Sequence, residues 1–142
     1  MSKERLNQQP KNPSNLTRFE RGWATLAELD GPNGPGHGLI ESLAEVTPDF
    51  GRYLVEFSFG EIYQRASLDL KSKELVTIAA ATALGAVPTL KVHIQAALNI
   101  GASKDEIIDV LLLMLVYAGF PRAINGLLTA KEVFASLDRS MI

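Results

Sequence analysis

The chain has 142 residues, 14 basic and 16 acidic side chains, two histidines and no cysteine. A chain of this length makes one domain that buries roughly 68–70% of its unfolded surface, so it needs neither a disulfide nor a structural metal. The missing cysteines exclude disulfides, Cys-ligated zinc, iron–sulfur centres and thiol redox chemistry, and a pI near 5.7 argues against a nucleic-acid surface, which needs clustered positive charge.

Hydrophobic residues make up 46% of the chain and mean hydropathy is +0.09, a surplus that anticipates contacts between subunits. Residues 1–14 are polar, with two prolines among asparagines and glutamines, and read as a flexible arm. Residues 15–142 read as one helical domain. The N-terminus lacks the apolar run of a secretory signal. The greasiest segment, Ile107 to Phe120, is interrupted by Asp109 and is too short to cross about 30 Å of hydrocarbon. A cytoplasmic protein that engages neither membrane nor nucleic acid is the expectation.

The first helix is predicted over residues 15–29, where Leu16, Phe19, Trp23 and Leu26 form one apolar stripe. Asp30 to Gly38 (DGPNGPGHG) ends it, because its glycines and prolines cannot continue a helix. A short helix is predicted over 39–46. Thr47 then reads as an N-cap, with Pro48 in the first turn and Asp49 near the positive end of the helix dipole. Phe50, Tyr53, Leu54 and Phe57 would form the buried stripe of this helix, which should fade near Gly60 to Tyr63.

The second half is more regular. Asp69 caps a helix running to about Leu84, whose Leu75, Ile78, Ala79 and Thr82 face the core. Gly85 ends it, Pro88 opens the next, and Gly101 stops that one after Asn99. Ser103-Lys104-Asp105-Glu106 is a capping box ahead of Lys104 to Ala118. That run is apolar nearly all round and is expected to be the most buried helix. Gly119-Phe120-Pro121 breaks the chain before a last helix from Pro121 to about Leu137. No segment alternates with period two, so the expected fold is all-α, a compact bundle of six or seven helices in hairpins.

Few side chains here can do chemistry. His37, between Gly36 and Gly38, reads as a solvated loop residue. His93 lies on or beside the apolar stripe of its helix, with Lys91 and Gln95 pointing away. It is either a core histidine bonded to backbone or a proton donor and acceptor in a pocket. Glu74 is either a first-turn carboxylate favoured by the helix dipole or the partner that orients His93, because a short turn joins their two helices. Glu61, bracketed by Phe57, Phe59, Ile62 and Tyr63, is a desolvated acid or pairs with Arg65. Arg65 itself suits bidentate carboxylate binding. No H-E-x-x-H, phosphate-loop or nucleophile-elbow pattern is present, so no metal site is expected.

FGEIYQRASLDLKSKELVTIAAATALG, the hairpin beginning PTLKVHIQAALNIGASKDEIIDV, and LVYAGFP together resemble the carboxymuconolactone decarboxylase family, within the alkylhydroperoxidase D-like group. The likeness spans about Phe19 to Phe134. It implies an all-α, ring-forming fold, commonly a homotrimer or homohexamer. In the peroxidase members a glutamate and a histidine flank two cysteines. Glu74 and His93 match the first pair, whereas Ala86 and Thr89 stand at the cysteine positions, so thiol peroxidase activity is excluded.

What remains resembles the decarboxylase branch, which removes CO₂ from 4-carboxymuconolactone without a cofactor. The resemblance implies His93 as proton donor, Glu74 orienting it, Glu61 as a second acid, and Arg65 as a clamp on a substrate carboxylate. Tyr117 would donate to the developing oxyanion or serve as a core tyrosine, and Trp23, Phe57 and Phe120 would form an apolar wall. Two departures stand out: Ala66-Ser67 where decarboxylases tend to have Pro-Gly, and Leu113 where a polar pocket residue is expected. The alternative reading is a non-catalytic oligomeric module of the same fold that binds a small apolar acid or a partner protein.

Overall fold

Thr17 opens the first helix with a reciprocal cap: its hydroxyl accepts from the Glu20 backbone N–H at 3.2 Å while the Glu20 carboxylate accepts from the Thr17 N–H at 2.8 Å. The computed structural model describes residues 15–31 and 34–140, so the arm expected over residues 1–14 lies outside it. Seven helices and no strand are found among the described residues: α1 (Arg18–Asp30), α2 (Pro35–Ala44), α3 (Pro48–Tyr53), α4 (Leu70–Leu84), α5 (Val87–Asn99), α6 (Lys104–Tyr117) and α7 (Phe120–Ser140). The all-α expectation is met, and most boundaries fall within a turn of those predicted.

Three local expectations need correction. Helix α2 begins four residues early, inside the Gly/Pro segment, because Pro35 occupies the first turn, where a missing N–H costs nothing. The Asp30 carboxylate supplies the cap from a distance, accepting the Gly36 and His37 backbone N–H groups at 3.0 and 2.9 Å. His37 is therefore not a solvated loop residue: it is half-buried, with Nδ1 2.7 Å from Asp30 Oδ2.

The second correction concerns the winding after α3: the helical run ends at Ile62, where it was expected to fade, but over Leu54–Ile62 it is a π-helix. Hydrogen bonding from i to i+5 widens the turn, and the buried set along α3 and this extension is Gly51, Val55, Phe59 and Gly60. Phe50, Tyr53 and Phe57, expected inside, are exposed. The inner face of α1 is Gly22, Leu26 and Leu29, while Phe19 and Trp23, expected inside, stack on each other at 5.7 Å on its exposed flank, leaving the close approach to the glycines. Gly22 lies against the backbone of Val55 and Gly60, and Gly60 against the carbonyl of Arg18. A side chain at either glycine would force the two helices apart.

The third correction is α6. Its capping box is present, and Ile107, Leu111 and Met114 are buried, but Leu112, Leu113, Val116 and Tyr117 are exposed. It is bare on one face rather than the most buried helix. Helices α4 to α7 enclose one core around Ile78, Leu90, Ile94, Ile107, Leu111 and Val133. A second, smaller core of Leu26, Leu29, Val55 and Phe59 closes on Ala96 of α5. Helix α5 is thus a wall shared by both cores, and an Asn99 Nδ2–H donated to the Leu29 carbonyl at 3.0 Å fastens it to the end of α1.

Candidate active site

Asp69 starts α4 by accepting the Ser72 N–H at 2.7 Å, and this start places Glu74 on the inner side of the second turn, facing α5. Gly85, in the left-handed region at φ 71°, stops α4. The short link turns the chain straight into α5, whose first turn contains Pro88. The resulting antiparallel pair brings His93 Nδ1 to 2.6 Å from Glu74 Oε2.

Glu74 has no solvent exposure. Its other oxygen, Oε1, accepts from the Tyr63 hydroxyl at 2.9 Å, so the carboxylate holds one donor from α5 and one from the turn after the π-helix. Both oxygens are satisfied, as a buried acid requires. Burial, together with the charge of Glu74, pushes the Tyr63 phenol far above its usual range. Tyr63 therefore keeps its proton and serves as a donor. Thr77 Oγ1 lies 3.4 Å from the same hydroxyl and itself donates to the Lys73 carbonyl at 2.9 Å.

With Nδ1–H donated to Glu74, the His93 tautomer is set and Nε2 is the working atom. Nε2 has no hydrogen-bond partner among the described residues and is not sealed from solvent. His93 lines a cavity of about 310 Å³ between the two halves of the fold. The other walls are Leu26 of α1, Gly36, Leu39, Ile40 and Leu43 of α2, Phe50, Leu54 and Phe59 of α3 and its π extension, and Thr89 and Val92 of α5. Apart from Thr89 and His93 these walls are apolar, the usual character of a small-molecule pocket. The cavity suits an uncharged or charge-dispersed organic body with one imidazole presented to it.

The remaining residues singled out in the sequence lie elsewhere in the single chain. Arg65 lines a different cavity, beside Tyr63 and Lys73. Glu61 pairs with Arg18 at 3.1 Å and not with Arg65; the π turn directs it toward the start of α1, and it is exposed rather than desolvated. Trp23, Phe57, Tyr117 and Phe120 are 40%, 63%, 77% and 67% exposed, and none lines the His93 cavity. Leu113 likewise lies on the bare face of α6.

Tyr63 was missed by sequence reasoning, although it stands in the G-E-I-Y string. Only the tertiary fold shows that its hydroxyl meets Glu74. The cavity walls from α2 were missed because the Gly/Pro segment hid the start of that helix. A second imidazole–carboxylate pair, His37 on Asp30, also emerges, with the Trp23 ring edge-on to His37 at 4.9 Å. No cluster of three His, Cys, Asp or Glu side chains able to hold a metal occurs among the described residues, and no described helix is long and apolar enough to cross a membrane.

Hairpin-stacked helices around an apolar cavity, with one carboxylate-oriented imidazole in its wall and no cysteine, define a thiol-free member of the alkylhydroperoxidase D-like class. Residues 48–132 match the Carboxymuconolactone decarboxylase family, and the chain belongs to that family. It is 33% identical over 120 residues to a 4-carboxymuconolactone decarboxylase of Acinetobacter baylyi, covering 84% of this chain and 89% of the relative. A 15.0 kDa protein of Paracoccus denitrificans of uncharacterised function is 32% identical over 104 residues, 72% of this chain and 78% of the relative. A nitrosuccinic acid decarboxylase of Metarhizium robertsii is 30% identical over 87 residues, 61% of each chain.

Proposed function

We propose that the protein is a cofactor-free carboxy-lyase of the 4-carboxymuconolactone decarboxylase type, acting on a small lactone or related carboxylic acid in aromatic degradation. The observation that carries this reading is the His93–Glu74 pair at the wall of an apolar cavity of about 310 Å³. Two relatives named as decarboxylases with different substrates support the reaction class more strongly than any one substrate.

In such a lactone the departing carboxylate sits on the carbon γ to the lactone carbonyl, across a double bond. Breaking the bond to CO₂ sends its electron pair through the double bond onto the carbonyl oxygen, giving a dienolate. An apolar wall strips water from the localised carboxylate charge and is less costly to the spread charge of the dienolate. His93, entering this step as the imidazolium with its Nδ1–H held on Glu74, then delivers the Nε2 proton to carbon and is left as the neutral Nδ1–H tautomer. Glu74 acts through His93 by fixing the ring, and Tyr63 acts through Glu74. Glu61, Arg65, Tyr117, Trp23, Phe57 and Phe120 would join this chemistry only where an assembled oligomer brings them to the cavity.

The exposed side chains around the α6–α7 turn (Leu113, Val116, Tyr117, Phe120 and Ile124) favour self-association as a homotrimer or homohexamer. They also favour the second reading, a non-catalytic module of the same fold holding a small apolar acid or a partner protein. Incubation of the purified protein with 4-carboxymuconolactone, followed by its ultraviolet absorbance, separates the two. Turnover well above the spontaneous rate, abolished in His93→Ala, is expected. Turnover equal to the spontaneous rate, or unchanged by that substitution, rejects the lyase. A thermal shift with the same compound but no turnover would favour the binding module.

A further inference from the structure

A second cavity, of about 340 Å³, is lined by the end of the π-helix, the segment that follows it and α4, with Tyr63 among its walls. Its chemistry differs from that of the His93 cavity. Two cationic side chains, Arg65 and Lys73, line it, and no carboxylate does. Arg65 has no ion-pair partner among the described residues. Lys73 is held in place, its ammonium donating to the carbonyls of Tyr63 at 2.7 Å and Arg65 at 2.6 Å. An ammonium has three N–H groups, so one remains for a ligand. Ile62, Leu68 and Val76 supply apolar wall.

We propose that this cavity is a second binding site, separate from the His93 cavity, for a small organic carboxylate with an apolar body. The planar guanidinium of Arg65 matches a carboxylate through two parallel N–H donors, and Lys73, already oriented by two carbonyls, adds a fixed positive charge at little entropic cost. The three aliphatic walls favour a ring or short hydrocarbon behind the carboxylate over a bare inorganic anion. The volume falls within the range of small-molecule sites. The carbonyls that fix Lys73 belong to the segment carrying Tyr63 and Arg65, so the turn that builds this site also supplies the donor to Glu74.

Benzoate is the probe, with benzamide as its neutral isostere and inorganic phosphate as the bare anion, titrated into the isotopically labelled full chain and followed by NMR. Benzoate is expected to shift the Arg65 Nε–H and Val76 methyl signals, and to bind at least tenfold more tightly than either control. Arg65→Met should weaken it at least tenfold. Val76→Trp, which fills the cavity from its exposed rim, should do the same if the first variant fails to fold. His93→Ala should leave benzoate binding within twofold, which keeps this test independent of the proposed lyase activity. Equal binding of benzamide or phosphate, shifts confined to Val92 and His93, or unchanged affinity in Arg65→Met would overturn the proposal.

Discussion

His93 Nδ1 and Glu74 Oε2 lie 2.6 Å apart across the α4–α5 hairpin, with the carboxylate wholly buried. The pair comes from two helices joined by a turn too short to let them separate, so its geometry is a property of the hairpin and needs no ligand to assemble it.

The first prediction tests the roles of the two residues. His93→Ala removes the proposed proton donor and should lower kcat by roughly 10²–10⁴-fold. Glu74→Gln keeps the shape but offers an amide to His93, and should lower kcat roughly 10–100-fold with KM within about twofold. The ¹⁵N signals of His93 should lose their single-tautomer pattern in Glu74→Gln. An unchanged imidazole spectrum together with a reduced rate would assign Glu74 a structural role only.

Tyr63 gives a pH prediction. Burial and the neighbouring charge of Glu74 raise its phenol above the ordinary 10.0. The unfolded chain therefore releases this proton at lower pH than the native state does. Above pH 10 the native state binds more protons, and stability falls as pH rises. Below pH 10 the contribution is fully present. Urea midpoints measured from pH 8 to 11 should decline more steeply for the wild type than for Tyr63→Phe. Parallel curves would show that the phenol is not shielded.

At the α6 start the sign is reversed. The backbone N–H of Ser103 and the ammonium of Lys71 hold the Glu106 carboxyl below its ordinary value of 4.5. Its contribution is present above that value and lost as pH falls below it. Both Glu106 and Lys71 are exposed enough for solvent to screen the pair, so the acid dependence removed by Glu106→Gln should be small. Ser103→Ala should cost about 1 kcal/mol at neutral pH through the lost cap. Thermal melts at pH 3 and pH 7 check both.

Gly60→Ala should be costly despite adding a single methyl, because that methyl would meet the Arg18 carbonyl where α1 crosses the π-helix. Roughly 1–3 kcal/mol of destabilisation is expected, seen as a lower urea midpoint with unchanged slope. A midpoint equal to that of the wild type would mean the two helices can separate freely.

Self-association is checked by sedimentation at micromolar concentration. The wild type should run well above the 15.4 kDa of one chain, and Val116→Glu with Phe120→Glu should shift it toward the monomer. A wild type sedimenting as a monomer would leave the bare α6–α7 surface unexplained by self-pairing.

Local structure was legible in the sequence. Asp69, Gly85 and the Ser103–Glu106 box act at their own positions, through bonds three or four residues long, and the helices they bound were legible. A helix that departs from 3.6 residues per turn, or takes its cap from afar, leaves no such local signal. The π winding over Leu54–Ile62 has no counterpart in the apolar spacing and leaves Phe57 outside, and Asp30 capped α2 from outside the helix. Arg65 and His93 both fall in the family motifs, yet they line different cavities.

Helix order, the all-α class, the exclusion of thiol chemistry and the candidacy of His93 and Glu74 all followed from composition, spacing and resemblance, because each depends on residue type or on neighbours within one or two turns. Tertiary packing alone decided that Glu74 is sealed between Tyr63 and His93, which cavity the imidazole borders, and which aromatic side chains remain outside. Those facts depend on how helices distant in the chain cross, and a shift of one residue in the winding is enough to move a side chain from a cavity wall to open solvent.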